Sequence, residues 1–293
     1  MPPRSEHISV MLSEVLQGLD PQPGQVFVDG TMGGGGHARA LAERVAPAGR
    51  VIALDRDPAA VSAGQQSVAA LPVSVVLANY RDLVSVLAEL GAPPVNGILL
   101  DLGLSSDQLA DRERGFSFEA DGPLDLRFDP NEGEPAAALV NRLRETALAD
   151  LIYQLGEERF SRRIARRIVE HRQQQRIETA TQLAEIVRRA VPRSADTRRI
   201  DPATRTFQAL RIAVNDELGA LDQALATMPD CLVQGGRLAV ISFHSLEDRR
   251  VKESFRDDPR YESRTKKPLR ASEQETAHNP RSRSAKLRIA VRR

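Results

Sequence analysis

Short apolar runs alternate with amphipathic stretches along the first hundred residues of the chain. Runs rich in Val, Ile and Leu predict β-strands at Val26–Asp29, Val51–Asp55, Val73–Leu77 and Gly97–Asp101. The stretches between them have the spacing of helices, near His37–Val45, Pro58–Leu71 and Asp82–Leu90. Strands that alternate with helices are typical of βαβ units, so the pattern predicts a parallel sheet covered by helices.

From about residue 107 to residue 211 the pattern is helical, without a convincing strand. It predicts helices near Ala147–Arg172, from Thr179 onward and over Pro202–Ala224. Thr179 and Gln182 have the spacing of a capping box, which marks the start of the second of these helices.

The strand pattern returns at Gly236–Phe243 and Ala285–Val291, and the polar segment Asp257–Arg283 is expected to be a loop. We therefore expect an α/β fold in which one domain is built from residues 1–106 and 212–293. An all-helical domain at 107–211 interrupts it, and a basic arm ends the chain.

The composition is that of a globular protein, with 41% hydrophobic and 28% charged residues. The single cysteine, Cys231, excludes an internal disulfide and a multi-cysteine zinc site, and the five histidines lack the spacing of metal ligands. No apolar stretch is long enough for a membrane helix, and Met1–His7 lacks the apolar core of a signal peptide. We expect a cytoplasmic protein with neither a structural metal nor a membrane partner.

The formal net charge of +1 conceals an uneven distribution of charges. Residues 1–158 carry a net −12 and residues 212–248 a net −5, whereas 159–211 and 249–293 each carry +9. Every basic residue before Lys252 is arginine. Arginine suits phosphate groups, so the two basic segments are candidates for nucleic-acid contact, although solvated helix faces have the same composition.

A glycine-rich segment, Asp29–His37, follows the first predicted strand and opens a helix. Glycines there let the backbone turn sharply and approach a ligand closely. Gly33, Gly35 and Ala38 satisfy the dinucleotide fingerprint GxGxxG/A, and Asp55 ends the next strand, where a carboxylate can accept both hydroxyls of a ribose. NAD and S-adenosylmethionine both carry that ribose, so these features predict a nucleoside cofactor without choosing between the two.

Further polar groups follow the other predicted strands. Asn79 and Tyr80 come directly after the third strand, where the Tyr80 ring can stack on adenine, and Asp101 ends the fourth. Ligands of open parallel sheets bind at the carboxyl ends of the strands. Asp29, Asp55, Tyr80 and Asp101 should therefore line one edge.

Short segments spread over the whole chain carry a resemblance to a known family. They begin with His7-x-x-Val10-Met11-Leu12, Asp29–His37, Asp55–Pro58, Asp101–Leu109, Arg114–Phe118 and Asp121–Asp125, and they continue with Gly156–Arg159, Pro202–Ala209, Ser242–Arg249 and Asn279–Lys286. In these segments and their order, the sequence closely resembles the RsmH (MraW) family, bacterial ribosomal RNA small-subunit methyltransferase H.

The resemblance implies a class I methyltransferase fold with an inserted helical substrate-recognition domain. It also implies S-adenosylmethionine-dependent N4-methylation of a cytidine in the decoding (P-site) region of 16S rRNA. The family's cofactor contacts fall on Gly35, Gly36, His37, Asp55, Tyr80, Asp101 and Gln108. Three positions depart from the usual family pattern: Tyr80 replaces a frequent Phe, Ser9 a frequent Pro, and Asp201 the usual His.

The residues present fit the methylation of an amine. An acceptor that hydrogen-bonds the amine would localise the nitrogen lone pair and stabilise the charge that develops there. Asp101, as the candidate catalytic residue, and the carbonyls of the Leu102–Ser105 loop are the candidates for this acceptor. Methylation at cytosine C5 normally needs a cysteine nucleophile, and Cys231 is predicted to lie away from the cofactor edge.

Candidate RNA-binding residues lie in three places. Arg159, Arg162, Arg163, Arg166 and Arg167 share one helix face, which is either an RNA contact or a solvated surface. The other candidates are Arg205, Arg211, His244, Arg281, Arg283 and Lys286. His244 and Glu247 follow the fifth strand, where they either contact the target nucleotide or support a turn.

Two other functions stay open at this stage. One is a non-catalytic RNA-binding factor in ribosome assembly, and the other is an NAD-dependent oxidoreductase that uses the same glycine loop. The oxidoreductase explains neither the basic segments nor the motifs beyond residue 101. The sequence leaves open the oligomeric state, monomer or homodimer, and the assembly stage of the ribosomal substrate.

Overall fold

The computed structural model describes residues 9–118, 121–192 and 201–293. His7, the first residue of the N-terminal motif, lies outside these ranges. The strands are β1 (Val26–Asp29), β2 (Arg50–Asp55), β3 (Val73–Leu77), β4 (Val95–Asp101), β5 (Leu232–Ser242), β6 (Tyr261–Ser263) and β7 (Lys286–Arg292). They form one sheet in the order β3-β2-β1-β4-β5-β7-β6, in which β7 runs antiparallel to both its neighbours and the first five strands are parallel.

The helices divide between two compact units, one containing the sheet and the other spanning Ser106–Glu217. They are α1 (Leu12–Leu19), α2 (Gly36–Val45), α3 (Pro58–Ser67), α4 (Leu83–Glu89), α5 (Ser106–Ala110), α6 (Ala136–Arg142), α7 (Glu145–Gly156), α8 (Ser161–Arg172), α9 (Ala180–Ala190), α10 (Ala203–Asn215), α11 (Glu217–Cys231), α12 (Ser245–Asp257) and α13 (Glu273–His278). The first unit comprises the chain up to Ser105 together with Leu218–Arg293.

Both faces of the sheet are covered by helices, because successive strand residues point to opposite sides. In β1, Phe27 packs with side chains of α1 and α2, whereas Val28 packs with side chains of α4, α11 and α12. This doubly wound arrangement explains why the strands are almost entirely apolar. The α/β fold is that of class I methyltransferases, as the resemblance implied, and the carboxyl ends of the parallel strands lie at one edge.

The second unit is built from helices around its own apolar core, and its described residues form no β-strand. Fully buried Leu148, Ile152, Ile164, Ile168 and Leu183 come from three of these helices. The predicted capping box is confirmed, since Thr179 and Gln182 each bond the backbone of the other at the start of α9.

Three predicted elements differ from the structure. The predicted helix over Ala147–Arg172 is the separate helices α7 and α8, because Glu157 has φ 50° and the chain turns there. Likewise Asp216, at φ 47°, separates α10 from α11 inside the predicted helix Pro202–Ala224. The predicted loop Asp257–Arg283 contains β6 and α13; β6 forms by pairing with the distant strand β7.

The ends of the helical unit differ slightly from the predicted insertion at 107–211. Arg211 lies inside α10, and the unit continues to Glu217, whose carboxylate pairs with Arg211. Across the described ranges, no helix is long and apolar enough to cross a membrane. The same residues contain no group of three or more His, Cys, Asp or Glu side chains that could hold a metal ion.

Candidate active site

Three acidic side chains occupy the carboxyl ends of neighbouring parallel strands. Asp29 ends β1, Asp55 ends β2 and Asp101 ends β4. Tyr80 follows β3 and begins a short 3₁₀ turn that the side chain of Asn79 caps. The structure therefore brings Asp29, Asp55, Tyr80 and Asp101 to the edge that the sequence predicted.

The glycine loop is fixed by hydrogen bonds to two neighbouring strands. The Gly30 amide donates to the Leu99 carbonyl of β4 at 2.9 Å, and the Met32 amide donates to the Leu54 carbonyl of β2 at 2.8 Å. The Gly33 amide donates to Asp55 Oδ2 at 2.8 Å. These bonds hold the loop against the carboxylate that is predicted to accept the ribose hydroxyls.

Thr31 joins two of the acids, a role that the sequence analysis missed. Its amide donates to Asp29 Oδ1 at 3.2 Å, and its hydroxyl oxygen accepts from the Asp101 amide at 2.6 Å. The Asp-x-Thr spacing is a signal for the first bond, since Asp side chains commonly accept from the amide two residues later. The second bond joins residues 70 positions apart and has no local signal.

Gly35 and Gly36 lie where other side chains pack closely on the loop. Gly35 has φ 80°, and a Cβ there would lie 2.7 Å from the Ser67 hydroxyl. A Cβ on Gly36 would lie within 2.0 Å of the Ser9 hydroxyl. The positive φ of Gly35 favours glycine there, and the absence of a side chain at Gly36 leaves room for the Ser9 hydroxyl; their predicted contact with a cofactor stays a prediction.

His37 is buried between the N-terminal segment and Asp101. Its Nε2 lies 3.0 Å from the Val10 carbonyl oxygen, and its Nδ1 lies 3.7 Å from Asp101 Oδ2. A carbonyl only accepts, so Nε2 must carry the hydrogen. This bond orients the ring so that Nδ1 faces the carboxylate.

The electrostatic setting of Asp101 suits a group that exchanges a proton near neutral pH. Burial raises the pKa of Asp101 to about 7, while the nearby Arg281 guanidinium lowers it and the Asp29 and Glu247 carboxylates raise it further. Its Oδ1 is buried without a hydrogen-bond partner among the residues that the structure describes. A buried oxygen of this kind is costly unless a ligand donates to it.

The other two acids are also influenced by burial. Burial raises the pKa of Asp55 to about 6, although the amides of Asp57 and Gly33 favour its charged form. Burial likewise raises the pKa of Asp29 to about 7. A ligand that donates hydrogen bonds to these carboxylates would favour their ionised forms.

The C-terminal candidates have different surroundings. Arg281 Nη2 donates to the Leu104 carbonyl, which belongs to the loop that supplies the predicted amine acceptors. Lys286 Nζ lies 3.1 Å from Asp248, which also pairs with Arg288 at 2.7 Å. Arg283 is exposed. Arg281 and Lys286 therefore have partners within the protein, and their predicted contact with RNA is untested.

His244 caps helix α12. Its Nδ1 accepts from the Glu247 amide at 3.4 Å, and Glu247 Oε2 accepts from the Phe243 amide at 2.9 Å. The two residues form a reciprocal capping box. Of the two interpretations of His244, the geometry favours support of the turn.

Of the candidates in the helical unit, Gln108 lies on α5, and Arg205 and Arg211 lie on α10. Gln108 is buried in α5, and Arg205 Nη1 donates to the Glu157 carbonyl at 3.4 Å. Arg211 forms a bidentate pair with Glu217 at 2.8 and 2.9 Å, with both side chains largely buried. Asp201, where the family usually has His, accepts from the Ala203 amide and pairs with Arg188 at 2.8 Å.

The donor set at the sheet edge fits a nucleoside cofactor. Asp55 supplies a carboxylate for ribose hydroxyls, Tyr80 supplies a ring, and the unpartnered Asp101 Oδ1 supplies an acceptor. Cys231 is buried at the end of α11, and burial raises the pKa of its thiol to about 11, so a reactive thiolate is disfavoured.

Comparison with known proteins identifies the family of this chain. The sequence matches the MraW methylase family over residues 4–293. It is 52% identical to Ribosomal RNA small subunit methyltransferase H of Rhodopirellula baltica, covering 98% of this chain and 92% of that protein. It is also 52% identical to the protein of the same name from Deinococcus radiodurans, covering 99% and 91%. A relative of that name from a Geobacter species is 48% identical and is covered over 97% of both chains. The chain therefore belongs to the MraW methylase family of S-adenosylmethionine-dependent methyltransferases.

Proposed function

We propose that this protein transfers a methyl group from S-adenosylmethionine to the N4 amine of a cytidine in the decoding (P-site) region of 16S rRNA. The relatives named as small-subunit rRNA methyltransferases support the ribosomal substrate. One observation supports an amine as the group that is methylated. The buried Asp101 carboxylate, at the carboxyl edge of the sheet, has an unpartnered Oδ1 that can accept a hydrogen bond from the amine.

Each residue of the sheet edge contacts a different part of the cofactor. Asp55 accepts hydrogen bonds from the ribose hydroxyls, and the Tyr80 ring stacks on the adenine. Gly35, Gly36, His37 and Gln108 complete the predicted contacts. When bound, S-adenosylmethionine supplies a methyl group on a positively charged sulfur, which is already a strong electrophile.

Asp101 acts on the amine. The nitrogen lone pair of cytosine N4 is delocalised into the ring, so an acceptor that bonds an amine hydrogen makes the lone pair more available. As the nitrogen–carbon bond forms and the carbon–sulfur bond breaks, the amine becomes cationic and Asp101 takes its proton. No covalent intermediate with the enzyme is needed; in-line placement of nitrogen, methyl group and sulfur supplies most of the rate.

The helical unit and the C-terminal arm hold the RNA. We assign the helical unit to substrate recognition, with Arg205 and the exposed Arg283 as phosphate contacts. Enzymes that modify a base inside folded nucleic acid first take it out of the stack.

The test uses small ribosomal subunits from cells that lack the gene. Purified protein and S-adenosylmethionine should restore one methyl group on a P-site cytidine, located by mass spectrometry of nuclease fragments. A subunit that is methylated at carbon 5 or on ribose would exclude the N4 assignment. Thermal stabilisation by NAD but not by S-adenosylmethionine would favour the oxidoreductase, and unmodified rRNA despite binding would favour the assembly factor.

A further inference from the structure

One face of the helical unit concentrates exposed positive charge. Arg159, Arg162, Arg163, Arg166 and Arg167 are all exposed on α8 and on the turn before it. Ile164, Ala165 and Ile168 form the opposite side of the helix and are fully buried. We call these five arginines the α8 arginine face.

Several other arginines of this unit serve its internal structure. Arg114 donates to the Arg127 and Phe128 carbonyls, Arg188 pairs with Asp201, and Arg211 pairs with Glu217. These guanidinium groups bind other segments of the same unit, so they are poorly placed to bind a second molecule.

The α8 arginine face is different because its charges are little neutralised. Arg166 lies 3.8 Å from Glu145 and Arg167 lies 2.9 Å from Glu170, and both arginines are more than half exposed. Within the described part of the chain, Arg162 and Arg163 form no ion pair. Exposed ion pairs contribute little to stability, so the face is not explained by folding.

An exposed aromatic side chain lies on the adjoining helix. Tyr153 of α7 is 61% exposed, the largest exposed fraction among the large hydrophobic residues described. Glu145 of α7 lies 3.8 Å from Arg166 of α8, so the two helices approach each other on this side. Tyr153 is nearer than Glu145 to the turn that joins α7 and α8. Arg162 and Arg163 are likewise nearer to that turn than Arg166.

We propose that the α8 arginine face and Tyr153 form a binding surface for a single-stranded segment of the rRNA substrate. Arg163 and Arg167 form one row on α8 and Arg162 and Arg166 another, with a rise of about 6 Å between members of a row, and Arg159 lies in the turn before them. Guanidinium groups bind phosphates, and an exposed tyrosine ring stacks on an unpaired base, as in sequence-tolerant single-strand binding. This inference rests on the proposed function, since it takes the substrate to be rRNA.

The test measures RNA binding separately from methyl transfer. The double variant Arg162→Gln/Arg163→Gln should weaken binding of a 16S rRNA fragment, measured by fluorescence anisotropy, by about 10-fold or more at moderate salt. The slope of log affinity against log salt should fall by about 1 to 2, because about two phosphate contacts are lost. The KM for ribosomal subunits should rise, while kcat and S-adenosylmethionine affinity should not change.

Tyr153 is tested by two substitutions. Tyr153→Ala should weaken RNA binding about 5- to 10-fold, whereas Tyr153→Phe, which keeps the ring, should bind as the unmodified protein does. Arg189→Gln is the matched control, because Arg189 is an exposed arginine of the same unit that pairs with Glu185. All four variants change surface residues only, so melting temperatures should be equal.

Unchanged affinity and an unchanged salt slope in the double variant would overturn the proposal. An equal effect of Arg189→Gln would do so too, since it would show a general response to charge. Because anisotropy needs no turnover, RNA binding that depends on the α8 arginine face supports the proposal even if rRNA is not methylated. Methylation without this dependence would instead support the proposed function alone.

Discussion

His37 Nδ1 faces Asp101 Oδ2 at 3.7 Å, while the opposite nitrogen of the same ring lies 3.0 Å from the Val10 carbonyl. The Val10 bond determines which nitrogen carries the hydrogen in the neutral ring, so a lone pair is directed at the carboxylate. The Asp101 carboxyl stands at the end of β4, and its burial raises its pKa to about 7.

Replacing Asp101 by Asn should nearly abolish methyl transfer. The variant keeps the shape of the side chain but cannot take a proton from the amine, and general-base contributions are about 100-fold or more. Single-turnover transfer to small subunits measures the effect, and calorimetric titration with S-adenosylmethionine shows whether cofactor affinity has changed. Full transfer with normal cofactor affinity would exclude Asp101 as the acceptor.

Transfer should depend on pH through Asp101. The carboxyl must be ionised to accept a proton, so the rate should fall as the pH drops below about 7. Arg281→Met removes a cation that lowers the pKa of Asp101, and the acid limb should move to higher pH. Rate profiles between pH 5.5 and 9, roughly the range over which a group of this pKa titrates, measure the shift.

The control for that experiment is Arg256→Met, on α12. Arg256 pairs with Asp257 at the surface and should leave the profile unchanged. A variant at Arg281 that raises only the KM for RNA, with the same acid limb, would mean that Arg281 contacts RNA and does not act on Asp101.

Asp55→Ala should weaken S-adenosylmethionine binding by about 10- to 100-fold, because hydrogen bonds to a charged group contribute about 1.5–3 kcal/mol. The KM for ribosomal subunits should change little. Calorimetric titration measures the affinity, and Glu43→Gln, an exposed substitution on α2, is the control. Equal affinities for the Asp55 variant and the unmodified protein would show that another group binds the ribose.

Asp29 should make the protein less stable as the pH rises. Its pKa is about 7 in the folded protein, against 3.8 as the ordinary value, so the folded state holds the proton more tightly. The free energy of unfolding should therefore fall from about pH 4 to pH 7 and stay reduced above. Asp29→Asn should raise it by up to about 4 kcal/mol at pH 8 and by little at pH 4, as measured by urea denaturation.

Asp248 should behave in the opposite way and is the comparison for Asp29. Burial raises its pKa, but hydrogen bonds from Arg288 and Lys286 outweigh this and hold it below 3.8. Its contribution is present above pH 4 or so and disappears as the pH falls through the folded pKa. Asp248→Asn should thus destabilise the protein at pH 7 and not in strong acid. If Asp29→Asn and Asp248→Asn changed the free energy of unfolding in the same direction near pH 7, the opposite pKa shifts of the two carboxyls would be contradicted.

Arg211 should prove to be structural. Arg211→Met leaves the largely buried Glu217 carboxylate unpaired and should lower the free energy of unfolding by about 3 kcal/mol. The double variant Arg211→Met/Glu217→Leu removes both charges and should recover most of that loss. Urea denaturation measures stability. If the double variant is stable but has a raised KM for ribosomal subunits, Arg211 also contacts RNA.

Local patterns predicted six of the seven strands of the sheet, whereas β6 was missed. Val26–Asp29 and Val73–Leu77 were predicted with the bounds that the structure shows, and the capping box at Thr179 was also predicted. Apolar runs, turn residues and caps act over a few positions, so these features are legible in the sequence. The breaks at Glu157 and Asp216 were not, because non-glycine residues at positive φ carry no reliable local signal.

The sequence by itself determined the fold class, the order of the acids along one sheet edge and the membership of the family. Only the tertiary structure decided what each charged side chain contacts. Lys286 pairs with Asp248, 38 residues earlier in the chain, and Arg281 reaches a carbonyl 177 residues away. Periodicity reports which face of an element is buried, whereas an ion pair depends on where distant elements meet, and packing alone sets that position.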